Sequence, residues 1–265
     1  MKKRIVTILS AIFLFLFATT GFAQKNKAAS KKDDKKLTMT WTTKSQAAKD
    51  LAGKGAKHLM NIEMEQAYSD LSEALKLDPD FTVALVFMSN INTGETRKAY
   101  ASRAIKSAAT KTEGEKLFVS LLDEKNTPEM RRDIWAKLHT MFPDGSMIAN
   151  YYVVTRATPE ERFKAAEDYI KQFPEEASMY NTMAYYYMQQ KKDTAMAKQY
   201  FQKYISLHPD GANSYDSMAE FYLTTGDNEN AEKYYKLALE KYPFLNSSVN
   251  ALQKINDAKP KKDGK

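Results

Sequence analysis

One spacing of small, large and proline residues recurs along most of the chain. Counted from an alanine, a large residue follows at offset 4, a small or aromatic residue at offset 7 and a proline at offset 12. The clearest copies are Ala67, Leu71, Ala74 and Pro79; Ala197, Phe201, Tyr204 and Pro209; and Ala231, Tyr235, Ala238 and Pro243. Offsets of 4 and 7 place side chains on one helical face, and proline cannot continue a helix. The pattern therefore predicts amphipathic helices that end at a proline.

Another helix precedes each of these helices. Its side chains repeat with the same spacing in neighbouring units: Tyr180, Met183, Ala184 and Tyr187, then Tyr215, Met218, Ala219 and Tyr222. We expect Ala219 and Ala231 to meet where the helices cross, because axes about 8–10 Å apart leave room only for small residues. Gly55 and Ala67 have the same relation near the start of the chain. Each unit is predicted to be a helical hairpin of about 34 residues.

Proline positions give the number of units. They stand at 79, 143, 174, 209 and 243, so the gaps are 64, 31, 35 and 34 residues. The first gap spans two periods, which predicts a unit over residues 81–109 that lacks its proline. Arg97, Ala101 and Ala104 have the offsets of 0, 4 and 7 there, but these residue types do not fix the exact alignment of this unit with the others. Thr158 followed by Pro159 fits the start of a second helix, with a cap and a proline at the first position.

These residues resemble the tetratricopeptide repeat family, in which a small residue and tyrosine mark the first helix and alanine, an aromatic residue, alanine and proline mark the second. The resemblance implies an all-α fold, a right-handed α-solenoid of about six helical hairpins, over residues 41–246. Residues 247–258 are expected to form the helix that closes the array. A stack is required because one hairpin cannot bury its apolar side alone.

Both ends of the chain differ from this body. Residues 1–23 combine a basic start, an apolar run and small residues before Gln24, which predicts a signal peptide cut after Ala23. A membrane anchor is the alternative, but the run is shorter than the roughly 20 apolar residues of a spanning helix. We therefore expect an exported protein, periplasmic or extracellular, without stable membrane insertion. Residues 24–40 are predicted to be a disordered Lys-rich linker, and residues 259–265 a disordered tail.

One part of the linker has its own pattern. Leu37, Met39 and Trp41 alternate with polar residues, which fits either a short extended segment on the first hairpin or an unpacked lead-in.

The basic net charge of +7 belongs to the ends of the chain. Residues 1–23 carry +3, residues 24–36 carry +4 and residues 257–265 carry +2, which leaves −2 for residues 37–256. Nucleic-acid binding requires a basic face for phosphate contacts, so we expect no nucleic-acid partner. The absence of cysteine excludes disulfides and thiolate metal sites.

No catalytic constellation is apparent. The three histidines, His58, His139 and His208, lie in different units, and none has a partner at metal-ligand spacing. We therefore expect no enzymatic activity, no metal and no cofactor, and we assign His58 to packing.

The remaining candidate is a surface. In tetratricopeptide repeat proteins the first helices line a concave groove that binds peptides or partner helices, and the resemblance implies the same here. First-helix residues that packing does not require are Tyr151, Thr155, Asn181, Tyr185, Met188, Asp216, Glu220 and Leu223. We expect a protein-protein interaction module or scaffold of the cell envelope with a protein or peptide partner, in an unknown oligomeric state. The alternative is an envelope glycan or small ligand bound by groove tyrosines.

Overall fold

Thirteen α-helices follow one another along residues 37–258, the part of the chain that the computed structural model describes. They are α1 (Gln46–Met60), α2 (Met64–Leu77), α3 (Thr82–Ile91), α4 (Gly94–Ala108), α5 (Glu113–Val119), α6 (Pro128–Met141), α7 (Ser146–Val154), α8 (Pro159–Gln172), α9 (Ser178–Tyr186), α10 (Thr194–Leu207), α11 (Ala212–Thr224), α12 (Asn228–Lys241) and α13 (Asn246–Asp257). No strand occurs within these residues. The predicted signal peptide, linker residues 24–36 and the tail lie outside the described residues.

Consecutive helices pair as hairpins, from α1 with α2 to α11 with α12, and α13 packs on α12. The fold is therefore an all-α solenoid, as the repeat pattern predicted. The position of α13 after the last pair is compatible with the predicted closing helix. No helix between residues 37 and 258 is long and apolar enough to cross a membrane.

Side-chain caps fix the starts of several second helices. At α8 the Thr158 hydroxyl accepts a hydrogen bond from the Glu161 N–H, while the Glu161 carboxylate accepts one from the Thr158 N–H, with Pro159 as the first helical residue. At α12 the Asp227 carboxylate accepts from the Asn230 N–H at 3.1 Å. Such caps satisfy amide groups that the helix itself leaves without partners. The structure thus confirms the helix start predicted at Thr158.

Small residues allow the helices of a hairpin to approach closely. Ala219 and Ala231 are both fully buried in the core between α11 and α12. In the first hairpin, a Cβ added to Gly55 would lie 2.8 Å from Leu71 Cγ, a distance that side chains do not tolerate. The crossings predicted at these two positions are therefore confirmed.

The unit without a closing proline consists of α3 and α4. Residues 82–89 are all buried, because α3 packs against α2, α4 and α5 at once. Of the three predicted key residues, Ala104 is fully buried, whereas Arg97 and Ala101 are only partly buried. The following α5 has seven residues and continues as a 3-10 turn, Ser120–Leu122. These two units are thus the least regular part of the array.

Residues 37–45, the N-terminal segment, form no helix or strand and lie against the first helices. Met39 is 7% exposed, and the Trp41 ring contacts Phe81 and Phe87 with centroids 6.4 and 6.1 Å apart. Assigning residues 37–40 to a disordered linker was therefore wrong. The reason is that Met39 and Trp41 find a packed surface on α3 and α5, beyond the first hairpin, whereas Leu37 is 56% exposed.

The first hairpin also contacts distant parts of the chain. The helix α1 packs on α7, and the Tyr204 hydroxyl at the end of α10 lies 3.5 Å from the Asn61 carbonyl oxygen at the end of α1. At the start of α7, the Asp144 N–H donates to the Leu37 carbonyl and the Asp144 carboxylate accepts from the Leu37 N–H. The array thus folds back on its own beginning.

Candidate partner-binding groove

Two of the predicted groove residues meet directly across neighbouring first helices. The Tyr185 hydroxyl on α9 donates a hydrogen bond of 2.6 Å to a Glu220 carboxylate oxygen on α11. The Tyr185 ring packs edge-on against Phe201, with centroids 5.2 Å apart. Burial and the adjacent carboxylate raise the pKa of Tyr185, so the phenol stays protonated. This pair holds α9 and α11 together on the predicted groove side.

Asp216 links α11 to the last helix. Its carboxylate accepts hydrogen bonds from the hydroxyls of Ser247, at 3.1 Å, and Ser248, both in the first turn of α13. Burial raises the pKa of Asp216, although the two serine hydroxyls partly offset this effect. The carboxylate is therefore partly buried and is bonded to neutral groups.

Several surface cavities of this protein have volumes of about 440–590 Å³. One of them, of about 510 Å³, is lined by some of the predicted groove residues. It lies between α11, α12 and α13, and we call it the C-terminal cavity. Its lining includes Asp216, Glu220, Leu223, Tyr235, Lys254 and Ile255. Leu223 is 38% exposed at this site. Three of the eight predicted residues thus converge on one open cavity, and Tyr185 is bonded to one of them.

Two predicted residues are in the core instead. Met188 is 6% exposed and packs in a cluster with Phe201 and Phe221, so its assignment to an open groove was wrong. The cause is local: α9 ends at Tyr186 and continues as a π-helical turn, Tyr187–Lys191. A π-helical turn is wider than an α-helical one, so it rotates the following side chains away from their expected directions.

Asn181 is 7% exposed, so its assignment to an open surface was also wrong. The equivalent residues of the neighbouring units show why. Asn150 donates a hydrogen bond of 2.7 Å to the Ser178 hydroxyl at the start of α9, and Asp216 is bonded to Ser248 at the start of α13. This position of the first helix therefore faces the next first helix, where stacking covers it.

The upstream residues Tyr151 and Thr155 are engaged with α6 and with the end of α7. The Tyr151 ring stacks on Trp135 with centroids 4.7 Å apart, and burial raises the pKa of Tyr151 to about 12. The Thr155 hydroxyl donates to the Tyr151 carbonyl oxygen at 2.6 Å. Both residues are partly exposed, but neither lines the C-terminal cavity.

Comparisons with known proteins agree with the repeat pattern. Residues 177–210 and 212–243, which contain α9–α10 and α11–α12, match the family model for the tetratricopeptide repeat. These two segments carry tetratricopeptide repeats. The two matched repeats are the ones that supply Tyr185, Asp216, Glu220 and Leu223. A comparison with curated proteins found no match.

Solved structures similar to this repeat protein share little sequence with it. The APC/C hetero-tetramer Cut9-Hcn1 matches at 14% identity and a TM-score of 0.50, over 78% of this chain and 44% of that chain. PilW, a type IV pilus biogenesis factor, matches at 15% identity and a TM-score of 0.47, over 78% and 99%. Pseudomonas aeruginosa pilF matches at 17% identity and a TM-score of 0.43, over 80% and 98%. At such identity the likeness to Cut9-Hcn1 shows the fold alone.

At the other end of the repeat array, the first helices hold a segment of the chain itself. Glu115 on α5 is fully buried, and its carboxylate accepts hydrogen bonds from the Thr42 N–H at 2.8 Å and the Thr42 hydroxyl at 2.7 Å. The Thr42 carbonyl accepts from the Lys111 ammonium at 3.2 Å. Sequence reasoning singled out none of these polar residues. The alternation of Leu37, Met39 and Trp41 was the available signal.

A second group of polar residues was also missed. Glu63, in the turn between α1 and α2, has a side chain only 4% exposed and lies between two histidines. Its carboxylate oxygens lie 2.6 Å from His58 Nδ1 and 2.8 Å from His208 Nε2, which is 145 residues away along the chain. His58 Nε2 is also 3.5 Å from Asp70. Nothing in the local sequence brings these residues together.

Ionisation in this histidine–glutamate cluster follows from its hydrogen bonds. The bond to Glu63 raises the pKa of His58, against the opposing effect of partial burial. Burial alone would raise the pKa of Glu63, but the two imidazole bonds hold it below its usual range. The cluster is therefore an ionic contact between the first hairpin and the turn after α10. No group of three side chains within residues 37–258 has the arrangement of a metal site.

Proposed function

We propose that the chain is a non-enzymatic interaction protein of the cell envelope that binds a peptide or helix of a protein partner along α9, α11 and α13. The observation that supports this most strongly is the C-terminal cavity, where Asp216, Glu220 and Leu223 lie together on an accessible first-helix surface. An exposed apolar side chain beside polar groups with directed hydrogen bonds is suited to peptide recognition.

The N-terminal segment supports the same mode of binding. It is a stretch without helix or strand, with its aromatic anchor, Trp41, on α3 and its backbone bonded to Glu115 on α5. The first helices of this array are therefore able to hold a non-helical chain through an apolar anchor and a buried carboxylate. At α11 and α13 the same kinds of group remain accessible.

The alternative, a glycan or small ligand held by groove tyrosines, has less support. The Tyr185 hydroxyl is already bonded to Glu220, and the Tyr151 ring is already stacked on Trp135. Sugar recognition would require free aromatic faces or free hydroxyls at these positions. A thermal-shift titration with cell-wall saccharides distinguishes the two, because only a glycan receptor should respond.

Residues 1–23 support the proposed location, since they have the composition of a signal peptide. We place the Lys-rich linker at residues 24–36, the array at residues 41–246, the closing helix at residues 247–258 and the tail at residues 259–265. The mature protein would then act in the periplasm or outside the cell.

Affinity capture from an envelope extract tests the proposal. We compare the protein with Leu223→Glu, which places a third carboxylate in the C-terminal cavity, and with Leu77→Glu as a matched control, because Leu77 is 52% exposed at the end of α2. Both variants should keep the thermal midpoint within a few degrees, since surface substitutions usually change stability by less than about 0.5 kcal/mol. The proposal expects Leu223→Glu alone to lose the captured protein. Equal capture by all three proteins would refute it.

A further inference from the structure

Given the proposed groove function, on which this inference rests, we infer that the C-terminal cavity receives a lysine or arginine side chain of the partner, flanked by apolar residues. Two carboxylates line this cavity, no cation is bonded to them within residues 37–258, and apolar side chains lie beside them.

The two carboxylates have only neutral hydrogen-bond donors among residues 37–258. Asp216 accepts from the hydroxyls of Ser247 and Ser248, and Glu220 accepts from the Tyr185 hydroxyl. Neither forms an ion pair in this part of the chain, in contrast to the ion pairs of the exposed faces of several other helices. A carboxylate has about four acceptor sites, so each can accept a further donor.

Proximity of these carboxylates favours a cation between or beside them. Burial raises the pKa of Asp216, and the Glu220 charge adds to this effect. Partly buried charges are costly unless they are paired. A cationic side chain from a partner would supply the missing charge and donate hydrogen bonds at the same time.

The rest of the lining determines what flanks the cation. Leu223, Ala251 and Ile255 present apolar surface, whereas Lys254 is the one cationic lining residue and forms no ion pair with either carboxylate among the described residues. A volume of about 510 Å³ holds more than one side chain. The cavity therefore fits a basic residue within an apolar stretch, and it disfavours an acidic peptide.

A peptide selection tests this chemistry with random sequences. A phage-displayed library of random 12-residue peptides is selected on the purified protein, and the enriched peptides are synthesised with amidated ends for titration. We expect enriched sequences to share a lysine or arginine next to apolar residues. Replacing that basic residue with glutamine should weaken binding about tenfold or more, as expected for a largely desolvated charge pair.

Variants of the protein complete the test. Asp216→Asn combined with Glu220→Gln removes two charges but keeps hydrogen-bond acceptors, and should also weaken binding about tenfold. The control, Glu229→Gln with Glu240→Gln, removes the same charge from exposed residues of α12 and should leave binding unchanged. A variant ending at Ala258 tests whether the chain's own lysines at 259–265 are the occupant.

The outcomes separate this inference from the proposed function. If peptides without basic residues are enriched and their binding is lost in Leu223→Glu, the groove stands and the cation is refuted. If no enriched peptide depends on Leu223, the proposed function fails as well. If peptides bind only to the protein ending at Ala258, the tail occupies the cavity and the partner assignment is overturned.

Discussion

Replacing Glu63 by glutamine should weaken the array most in mild acid. Glu63 is almost completely buried and contacts His58 and His208 at 2.6 and 2.8 Å, so glutamine keeps the size but removes the charge. Hydrogen bonds to a charged group contribute about 1.5–3 kcal/mol and neutral ones about 0.5–1.5 kcal/mol. Two bonds would therefore lose about 2 kcal/mol. Relief of the buried charge reduces this, and we expect a net loss of about 1–2 kcal/mol in the free energy of unfolding.

The pH dependence follows from the directions of the two pKa shifts. The pKa of His58 is raised above its usual 6.5, so its contribution is fully present below that value and is lost as the pH rises through the folded pKa. The pKa of Glu63 is lowered from its usual 4.5, so its contribution is present above that value and is lost as the pH falls through the folded pKa. The cluster therefore stabilises the fold most between pH 4.5 and 6.5.

Urea denaturation followed by circular dichroism measures this effect. The difference between the protein and Glu63→Gln should be larger near pH 5.5 than near pH 8, because the contribution of His58 is lost as the pH rises through its folded pKa. Glu73→Gln is the matched control, because it removes a charge from an exposed ion pair with Lys76 on the same hairpin and should cost less than about 0.5 kcal/mol at either pH. A loss for Glu63→Gln that does not decrease from pH 5.5 to pH 8 would refute the ionic cluster.

Two further predictions concern packing. Gly55→Ala should destabilise the fold by about 1–3 kcal/mol, because the new Cβ would meet the Leu71 side chain. The control, Gly53→Ala on the same helix, has open space and should stabilise the fold by about 0.5–1 kcal/mol. Thermal unfolding of both variants measures these changes, and equal effects would contradict the close crossing. Trp41→Ala should lower the free energy of unfolding by about 2–4 kcal/mol in urea denaturation, because the ring anchors the N-terminal segment on Phe81 and Phe87. The variant should also allow a protease to cleave that segment. Unchanged stability and protease resistance would mean that the segment is not anchored there.

Local parts of the fold could be predicted from the sequence because they depend on neighbours along the chain. Ala219, Ala231 and Thr158 mark crossings and caps whose physics is contained in a few turns of helix. The burial of Asn181 could not be predicted from its own helix, because it depends on how the start of the next first helix packs against that residue. Met188 was misplaced because a π-helical turn, which no residue pattern indicated, changes the register after the end of α9.

Contacts between distant segments were beyond the repeat pattern. Glu63 and His208 are 145 residues apart, and they meet only because the array folds back on its own beginning. The same holds for Thr42 and Glu115, which are 73 residues apart. A repeat pattern describes how each unit contacts its neighbours, so it carries no information on contacts between the first unit and the fifth. That Asp216, Glu220 and Leu223 lie side by side was predictable because they are on one helix.

Site-specific photo-crosslinking in cells tests the central claim most directly. A photoreactive amino acid is placed at Leu223 in the C-terminal cavity, and in a control at Leu77, which is exposed on α2. The account predicts a covalent adduct with a partner protein from position 223 that is absent from position 77. Adducts of the same protein from both positions, or from position 77 alone, would contradict a binding groove along α9, α11 and α13.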